Sequence, residues 1–207
     1  MKFLTLMLAV LTATFGTAVA ADEDSDPNFA EYAVLAGLSP FGGSFSFAHN
    51  SSEQTTWVFS IGGNADMNLD IEIESEDYEL VSESSWVGFF INHRPLQNAK
   101  WFRLVAGLGV GSIENDLERI DSRGLATNER YEANYKENPV GYLGVGFGLK
   151  PRKGFIWGVD IGWLQTAGPE IRSLTNEATV DGEEAIRASY LFGAPLPNLQ
   201  VSLGYGF

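Results

Sequence analysis

The chain of 207 residues has no cysteine, so disulfides and thiolate metal sites contribute nothing to its stability or chemistry. Positive charge is scarce: 13 Lys and Arg stand against 27 Asp and Glu, for a net charge of −14. With so few basic residues to meet phosphate, the chain is a poor candidate for nucleic-acid binding, and no nucleic-acid partner is expected. Beyond the first twenty residues no apolar run reaches the length that a membrane-spanning helix needs. Mean hydropathy is near neutral at −0.04. Histidine occurs only as His49 and His93. The triplet Gly144-x-Gly146-x-Gly148 alternates strictly and lacks the following helix of a dinucleotide loop, and the acidic stretches match no calcium-loop spacing. No cofactor and no metal are expected.

What the chain does have is an export leader and strict alternation. Met1-Lys2, the apolar run Phe3–Leu11 and the small residues Ala18-Val19-Ala20 form a signal peptide over 1–20 with cleavage before Ala21. About 187 residues remain, enough for one domain, and loss of Lys2 takes the charge to −15. Residues 21–29 read as an acidic amino-terminal segment and 30–207 as a single all-β domain. The last ten residues place Leu199, Val201, Leu203, Tyr205 and Phe207 on one strand face, with Asn198, Gln200, Ser202, Gly204 and Gly206 on the other. A tilted strand of roughly 9–11 residues crosses a bilayer's hydrocarbon layer. Such a strand puts an apolar face to lipid and a small polar face to a crowded interior.

The same alternation recurs upstream. Phe155, Trp157, Val159, Ile161 and Trp163 oppose Gly158, Asp160 and Gly162, while Leu143, Val145 and Phe147 oppose Gly144, Gly146 and Gly148. Phe102, Leu104, Ala106, Leu108 and Val110 oppose Arg103, Val105, Gly107, Gly109 and Gly111. In Thr55–Glu74, Trp57, Phe59, Ile61, Met67, Leu69, Ile71 and Ile73 share a face, leaving Asp66, Asp70 and Glu72 on the inner one. Tyr78–Asn92, Ala30–Gly37 and Gly43–His49 supply the remaining candidates, the last two parted by Ser39-Pro40-Phe41. Eight strands leave short turns at His49–Gln54, Arg94–Lys100 and Lys150–Lys153 on the side that holds both termini. The long acidic stretches Gly111–Pro139 and Thr166–Pro197 then become outer loops. Glu183–Arg187 is expected to form one helical turn at most, and Ile186–Phe192 to prolong the last strand. The prediction is an eight-stranded antiparallel transmembrane β-barrel in an outer membrane. A soluble barrel of lipocalin type is disfavoured, because its inward faces would be glycine, serine, asparagine and charge, which make no core.

Eight strands enclose only enough space for side chains to fill. The inward set Asp66, Asp70, Glu72, Arg103, Tyr142 and Asp160 is therefore expected to be a packed polar network, with Arg103 paired to Asp160 or Asp66. Inward glycines either leave room for solutes or accommodate bulky side chains. His49, Ser51 and Glu53 resemble the catalytic set of outer-membrane lipid A deacylases, but they lie at a short inner turn, where a polar-capped turn is the expected reading. His93 is expected at the membrane interface.

The block Gly141-Tyr142-Leu143-Gly144-Val145-Gly146-Phe147-Gly148, a basic turn, then Trp157-Gly158-Val159-Asp160-Ile161-Gly162-Trp163 resembles a family of small proteobacterial outer-membrane β-barrel proteins. Trp86–Pro95 is similar to that family's strand and turn, and Ala167-Gly168-Pro169 to its Gly-x-Pro ending. Members are mostly uncharacterised and described by analogy with the OmpA transmembrane domain. The resemblance implies the barrel fold and says little about activity; the chain is read as a monomeric barrel without enzymatic activity, and no peptidoglycan-binding domain is expected after Phe207. Leu203, Tyr205 and Phe207 resemble the carboxyl-terminal signal by which outer-membrane barrels are assembled. Implied partners are the barrel-assembly machinery, periplasmic chaperones, outer-membrane lipid and lipopolysaccharide. Expected roles are envelope integrity or surface interaction through acidic loops, with a narrow channel for small solutes or hydrophobic molecules as the alternative and a lipid A-modifying hydrolase third.

Overall fold

The computed structural model describes residues 26–121, 123–136, 139–175 and 180–207. The leader and the first residues of the acidic segment lie outside these. Ten strands and one helix follow in order: β1 (Tyr32–Ser39), β2 (Gly42–Asn50), β3 (Thr55–Ile73), β4 (Glu76–His93), β5 (Phe102–Ile120), β6 (Ala126–Asn134), β7 (Val140–Gly148), β8 (Gly154–Gln165), β9 (Glu170–Ser173), α1 (Val180–Ala188) and β10 (Pro195–Gly206). Eight of the strands, β1-β2-β3-β4-β5-β7-β8-β10, close into an antiparallel ring. Closure is made by β1 on β10, with Ala33 opposite Gly206 and Leu38 opposite Val201. A closed ring leaves no edge, the condition for a sheet to cross lipid.

Period-two alternation sets the two surfaces. Phe45, Phe59, Ile61, Phe89, Leu108, Trp157, Ile161, Leu203 and Tyr205 point out and are exposed, which forms a belt stable only against lipid. Ser46, Ser60, Arg103, Ser202 and Asn198 point in and are buried. At the short-turn end Tyr32 stacks on Phe47 and Phe207, and Trp101 stacks on Phe147 at 5.8 Å, as aromatic rings do at a membrane interface.

Three strands are far longer than a bilayer requires. β3, β4 and β5 run 19, 18 and 19 residues, or about 60 Å at ~3.3 Å per residue, so half of each stands above the membrane on the side away from the termini. There β6 adds to β5 and β9 adds to β6, so the same sheet continues beyond the ring as an extension. Gly111–Pro139, expected as an outer loop, is therefore largely strand, whereas Thr166–Pro197 holds the four residues of β9 and the nine of the helix.

A bulge in β3 makes this possible. Asn64 pairs with Ser84, but the next partner of Ser82 is Met67, three residues on. The extra residue reverses the faces beyond it, and Asp66 adopts φ 47° there. Trp57, Phe59 and Ile61 face lipid, whereas Met67, Leu69, Ile71 and Ile73 share the inner face with Leu80 and Tyr78. The expected single face for all seven is thus corrected. The inner placement of Asp70 and Glu72 falls with it: both are exposed on the outside of the extension, and Asp66 is exposed at the bulge.

The reversed residues join a soluble-type core. Ile73, Tyr78, Leu80, Leu117, Tyr131, Ala133, Ile171, Ile186 and Phe192 are buried together, with Ile71, Ala185 and Leu191 packed against them. Helix α1 supplies Ile186, which is 0% exposed, and its acidic first turn and Arg187 in the last turn complement the helix dipole. Nine residues of helix thus replace the single turn expected. Ile186 and Phe192 belong to this core, and β10 begins only at Pro195.

Candidate functional site

The barrel lumen is built upward from a floor at the short-turn end. Residues 26–31 cross that end and are held by backbone bonds from Lys153 N to Asn28 O at 2.7 Å and from Asn50 N to Glu31 O at 2.8 Å. Lys150 Nζ donates to Asp26 Oδ2 at 2.6 Å and to Glu53 Oε1 at 3.2 Å, and Glu53 also pairs with Lys100. One charge cluster therefore ties the amino-terminal segment to all three short turns. These cations hold the Glu53 and Asp26 carboxyls below their ordinary pKa values.

Above the floor, Arg94 enters the lumen from the β4–β5 turn and is buried. Its Nη1 donates to Thr56 Oγ1 at 3.3 Å and its Nη2 to Leu149 O at 3.5 Å. Thr56 in turn donates to Asn50 Oδ1 at 2.7 Å, and Asn50 Nδ2 donates to Ala30 O at 2.8 Å. One level higher, Arg103 grips Asp160 with two parallel bonds, Nε to Oδ1 at 3.0 Å and Nη2 to Oδ2 at 2.8 Å. Planar guanidinium and carboxylate match in this fork, the strongest form of such a bond.

Glycine makes that pair possible. A Cβ on Gly146 would lie 2.1 Å from Asp160 Oδ1, and one on Gly158 would lie 2.5 Å from Arg103 Nη2. The same device recurs upward: Phe90 lies over Gly88 and Gly107, Tyr142 over Gly144 and Gly162, and Trp86 over Gly62 and Gly111. The inward glycines thus accommodate bulky side chains. Phe90 meets Tyr142 edge to face at 5.8 Å, and Trp86 Nε1 donates to Phe41 O at 3.1 Å near the outer mouth. What remains is a cavity of about 190 Å³ threading between these groups, room for on the order of ten waters. Tyr142 Oη and Asn198 Oδ1 are buried on it beside each other.

The structure therefore brings Arg103, Asp160 and Tyr142 to one lumen and leaves Asp66, Asp70 and Glu72 outside it. Arg94, absent from the sequence-based set, is part of the same interior. Its place after the last residue of a strand and before Pro95 gave it the look of a turn residue. Leu203 and Tyr205 of β10 and the terminal Phe207 line up on the lipid-facing side.

His49, Ser51 and Glu53 form no catalytic relay. His49 stacks on Tyr32 with its Nδ1 unpartnered, Ser51 Oγ donates to Thr55 O at 3.2 Å, and Glu53 is engaged by two lysines. His93 Nδ1 lies 3.2 Å from Thr55 Oγ1 at the end of β4.

The second candidate surface is the outer face of the extension. Asp70 stands opposite Glu79, and Glu79 opposite Glu118; Glu72 stands opposite Asp77, and Glu83 opposite Glu114. Arg130 answers Glu118 at 2.9 Å. Rows of directly opposed carboxylates are destabilising within a sheet. Among the described residues no group of three or more His, Cys, Asp or Glu is arranged to hold a metal ion.

No family model matches the chain, and no curated relative matches its sequence. Solved structures do. CarO of Acinetobacter baumannii superimposes with a TM-score of 0.66 at 16% identity, over 86% of this chain and 98% of that one. CarO2 of the same organism gives 0.64 at 15% identity, over 88% and 100%. At such identities the likeness is one of fold, and it agrees with the closed ring, the lipid-facing belt and the polar lumen: the chain is an eight-stranded integral outer-membrane β-barrel.

Proposed function

We propose that this protein is a non-enzymatic surface module, in which the barrel anchors the extension and the extension's acidic outer face meets a cationic partner. The opposed carboxylate rows carry this reading. Like charges directly opposite each other across strands are destabilising, so the Asp70–Glu79–Glu118 row lowers the stability of the sheet that bears it. A sequence free to optimise folding alone would alternate signs here. Divalent cations held between this face and the phosphates of lipopolysaccharide are one form the partner takes; a basic segment of another surface molecule is the other.

The test is a charge-neutral variant, Asp70→Asn with Glu79→Gln and Glu83→Gln, purified in detergent beside the parent. It should be more stable than the parent in the extension. It should also lose salt-sensitive binding to a lysine-rich peptide and calcium-dependent binding to lipopolysaccharide vesicles. Equal binding by parent and variant sinks the proposal.

The lumen cavity favours a second reading, a narrow path for small solutes. It requires single-channel conductance that changes in Asp160→Asn; a barrel sealed at all voltages ends it.

A further inference from the structure

Charge is distributed against the composition of the chain. Acids outnumber bases 27 to 13 overall, yet the charged residues lining the lumen cavity are Arg94, Arg103, Lys136, Lys150, Arg152 and the single acid Asp160. Most of these cations are accounted for. Asp160 neutralises Arg103, Lys150 is paired with Asp26 and Glu53, Lys136 is paired with Glu170, and Arg152 is exposed at the floor. Arg94 is the exception. It is 5% exposed and has no carboxylate partner among the described residues.

Its hydrogen bonding is equally incomplete. A guanidinium carries five N–H donors. The two acceptors recorded for Arg94, Thr56 Oγ1 and Leu149 O, are neutral and lie at 3.3 and 3.5 Å, the long end of the range. The neighbouring polar groups offer it no more. Thr56 has given its proton to Asn50, and Asn50 has turned its amide to Ala30, so that chain of donors runs away from Arg94 and ends on a backbone carbonyl. The backbone beneath is fixed by Arg94 N to Gln54 O at 2.8 Å, so the side chain is presented to the cavity from a rigid turn. A buried charge of one sign without a counter-charge is costly, and a folded barrel meets that cost by taking the counter-charge from solution.

We infer that the floor of the lumen is a binding site for a small oxyanion, a carboxylate or phosphate group seated on the free edge of Arg94. The planar fork of the guanidinium suits two oxygens of such a group better than it suits a spherical halide. The forked Arg103–Asp160 pair and Lys150 line the same cavity as Arg94. The inference is independent of the acidic outer face: it concerns the opposite end of the molecule and a ligand of the opposite sign.

The experiment measures the thermal unfolding midpoint of the purified barrel in detergent, titrated with inorganic phosphate, acetate or chloride at constant ionic strength. The parent midpoint should rise and saturate with phosphate or acetate and not with chloride, as mass action requires of a ligand bound only by the folded state. In Arg94→Gln the saturating rise should vanish. Without oxyanion this variant should unfold at or above the parent's temperature, because it removes an unpaired buried charge. A purely structural role for Arg94 predicts the reverse, a variant less stable than the parent in every salt. Arg94→Lys provides a check that does not need Arg94→Gln to fold. It keeps the buried positive charge and loses the planar fork, and its response should need severalfold more phosphate to saturate. Equal responses in parent and Arg94→Gln, a response in Arg94→Lys as tight as the parent's, or a rise that chloride reproduces would each overturn the inference.

Discussion

At the scale of single residues, the interior is organised by glycines placed opposite large groups. Arg103 and Asp160 are held by their own fork, and by Gly146 and Gly158, which leave the guanidinium space against the wall. Gly146→Val should therefore break the pair without touching either partner. The expected cost is about 3–5 kcal/mol, the range for separating a buried ion pair, read as a lower urea midpoint in lipid vesicles. Gly43→Ala is the matched control, because a Cβ there meets only Gly37 O at 3.9 Å; it should unfold within about 0.5 kcal/mol of the parent. The inward side of Arg103, Tyr142 and Asp160 was legible from alternation alone, since no bulge interrupts β5, β7 or β8 along the paired stretches that carry them. The specific partner was not: a sequence offers several acids of suitable parity, and only the register of β7 and β8 brings Asp160 beside Arg103. Arg94 was not legible at all, because a residue in a turn has no parity and its side-chain direction depends on how the turn closes.

At the scale of elements, the decisive event is one extra residue in β3. Were the same residues paired one to one through Ala65 and Asp66, Met67, Leu69, Ile71 and Ile73 would follow Trp57, Phe59 and Ile61 onto the outside, above the lipid and in water. With it, a lipid-facing pattern becomes a core-facing one while the odd-numbered periodicity continues unbroken. That continuity is why sequence reading set all seven on one face and sent Asp70 and Glu72 inward. A bulge changes which face a residue occupies and leaves the pattern of residue types intact. The hairpin tip, where Glu74 and Ser75 both have positive φ, then reverses the chain in two residues. Deleting Ala65 should remove the bulge and keep the faces, because Asp66 alone then stands opposite Glu83 while Met67 stays opposite Ser82 and Ile71 opposite Tyr78. Surface proteolysis of intact cells should then leave the β3–β4 extension and α1 as resistant as in the parent, with the boiling-dependent shift in gel mobility unchanged. An extension that becomes protease-sensitive would show that the bulged backbone itself, and not the parity it corrects, is needed for the upper core. Helix α1 was hidden for a different reason: its single buried anchor, Ile186, sits among acidic and small residues that read as solvated loop until the sheet beneath is known.

At the scale of the whole molecule, two cores with different solvents share three strands. The lower one is polar inside and apolar outside, stabilised by lipid and ring closure; the upper one is apolar inside and acidic outside, like a soluble protein. The fold class, the eight-strand ring and the sidedness of short turns follow from alternation and turn length, which lipid enforces strictly. The upper unit follows from tertiary pairing, which it does not. The far end is closed by the cluster of Asp26, Glu53, Lys100 and Lys150, and that cluster makes stability depend on pH. Its carboxylates are held below their ordinary values of 3.8 and 4.5, Glu53 chiefly by Lys100 and Asp26 chiefly by Lys150. The folded state therefore takes up a proton less readily than the unfolded one. The stabilisation is complete above those ordinary values and is lost as pH falls through the lower folded ones. Glu53→Gln removes the bridge between two of the turns. At neutral pH its heat-modifiability midpoint should lie below the parent's, and the gap should narrow as pH falls below the ordinary glutamate value of 4.5 and Glu53 of the parent takes up its proton. Parallel curves across that range would mean that the turns are held by their backbone bonds and not by the ion cluster.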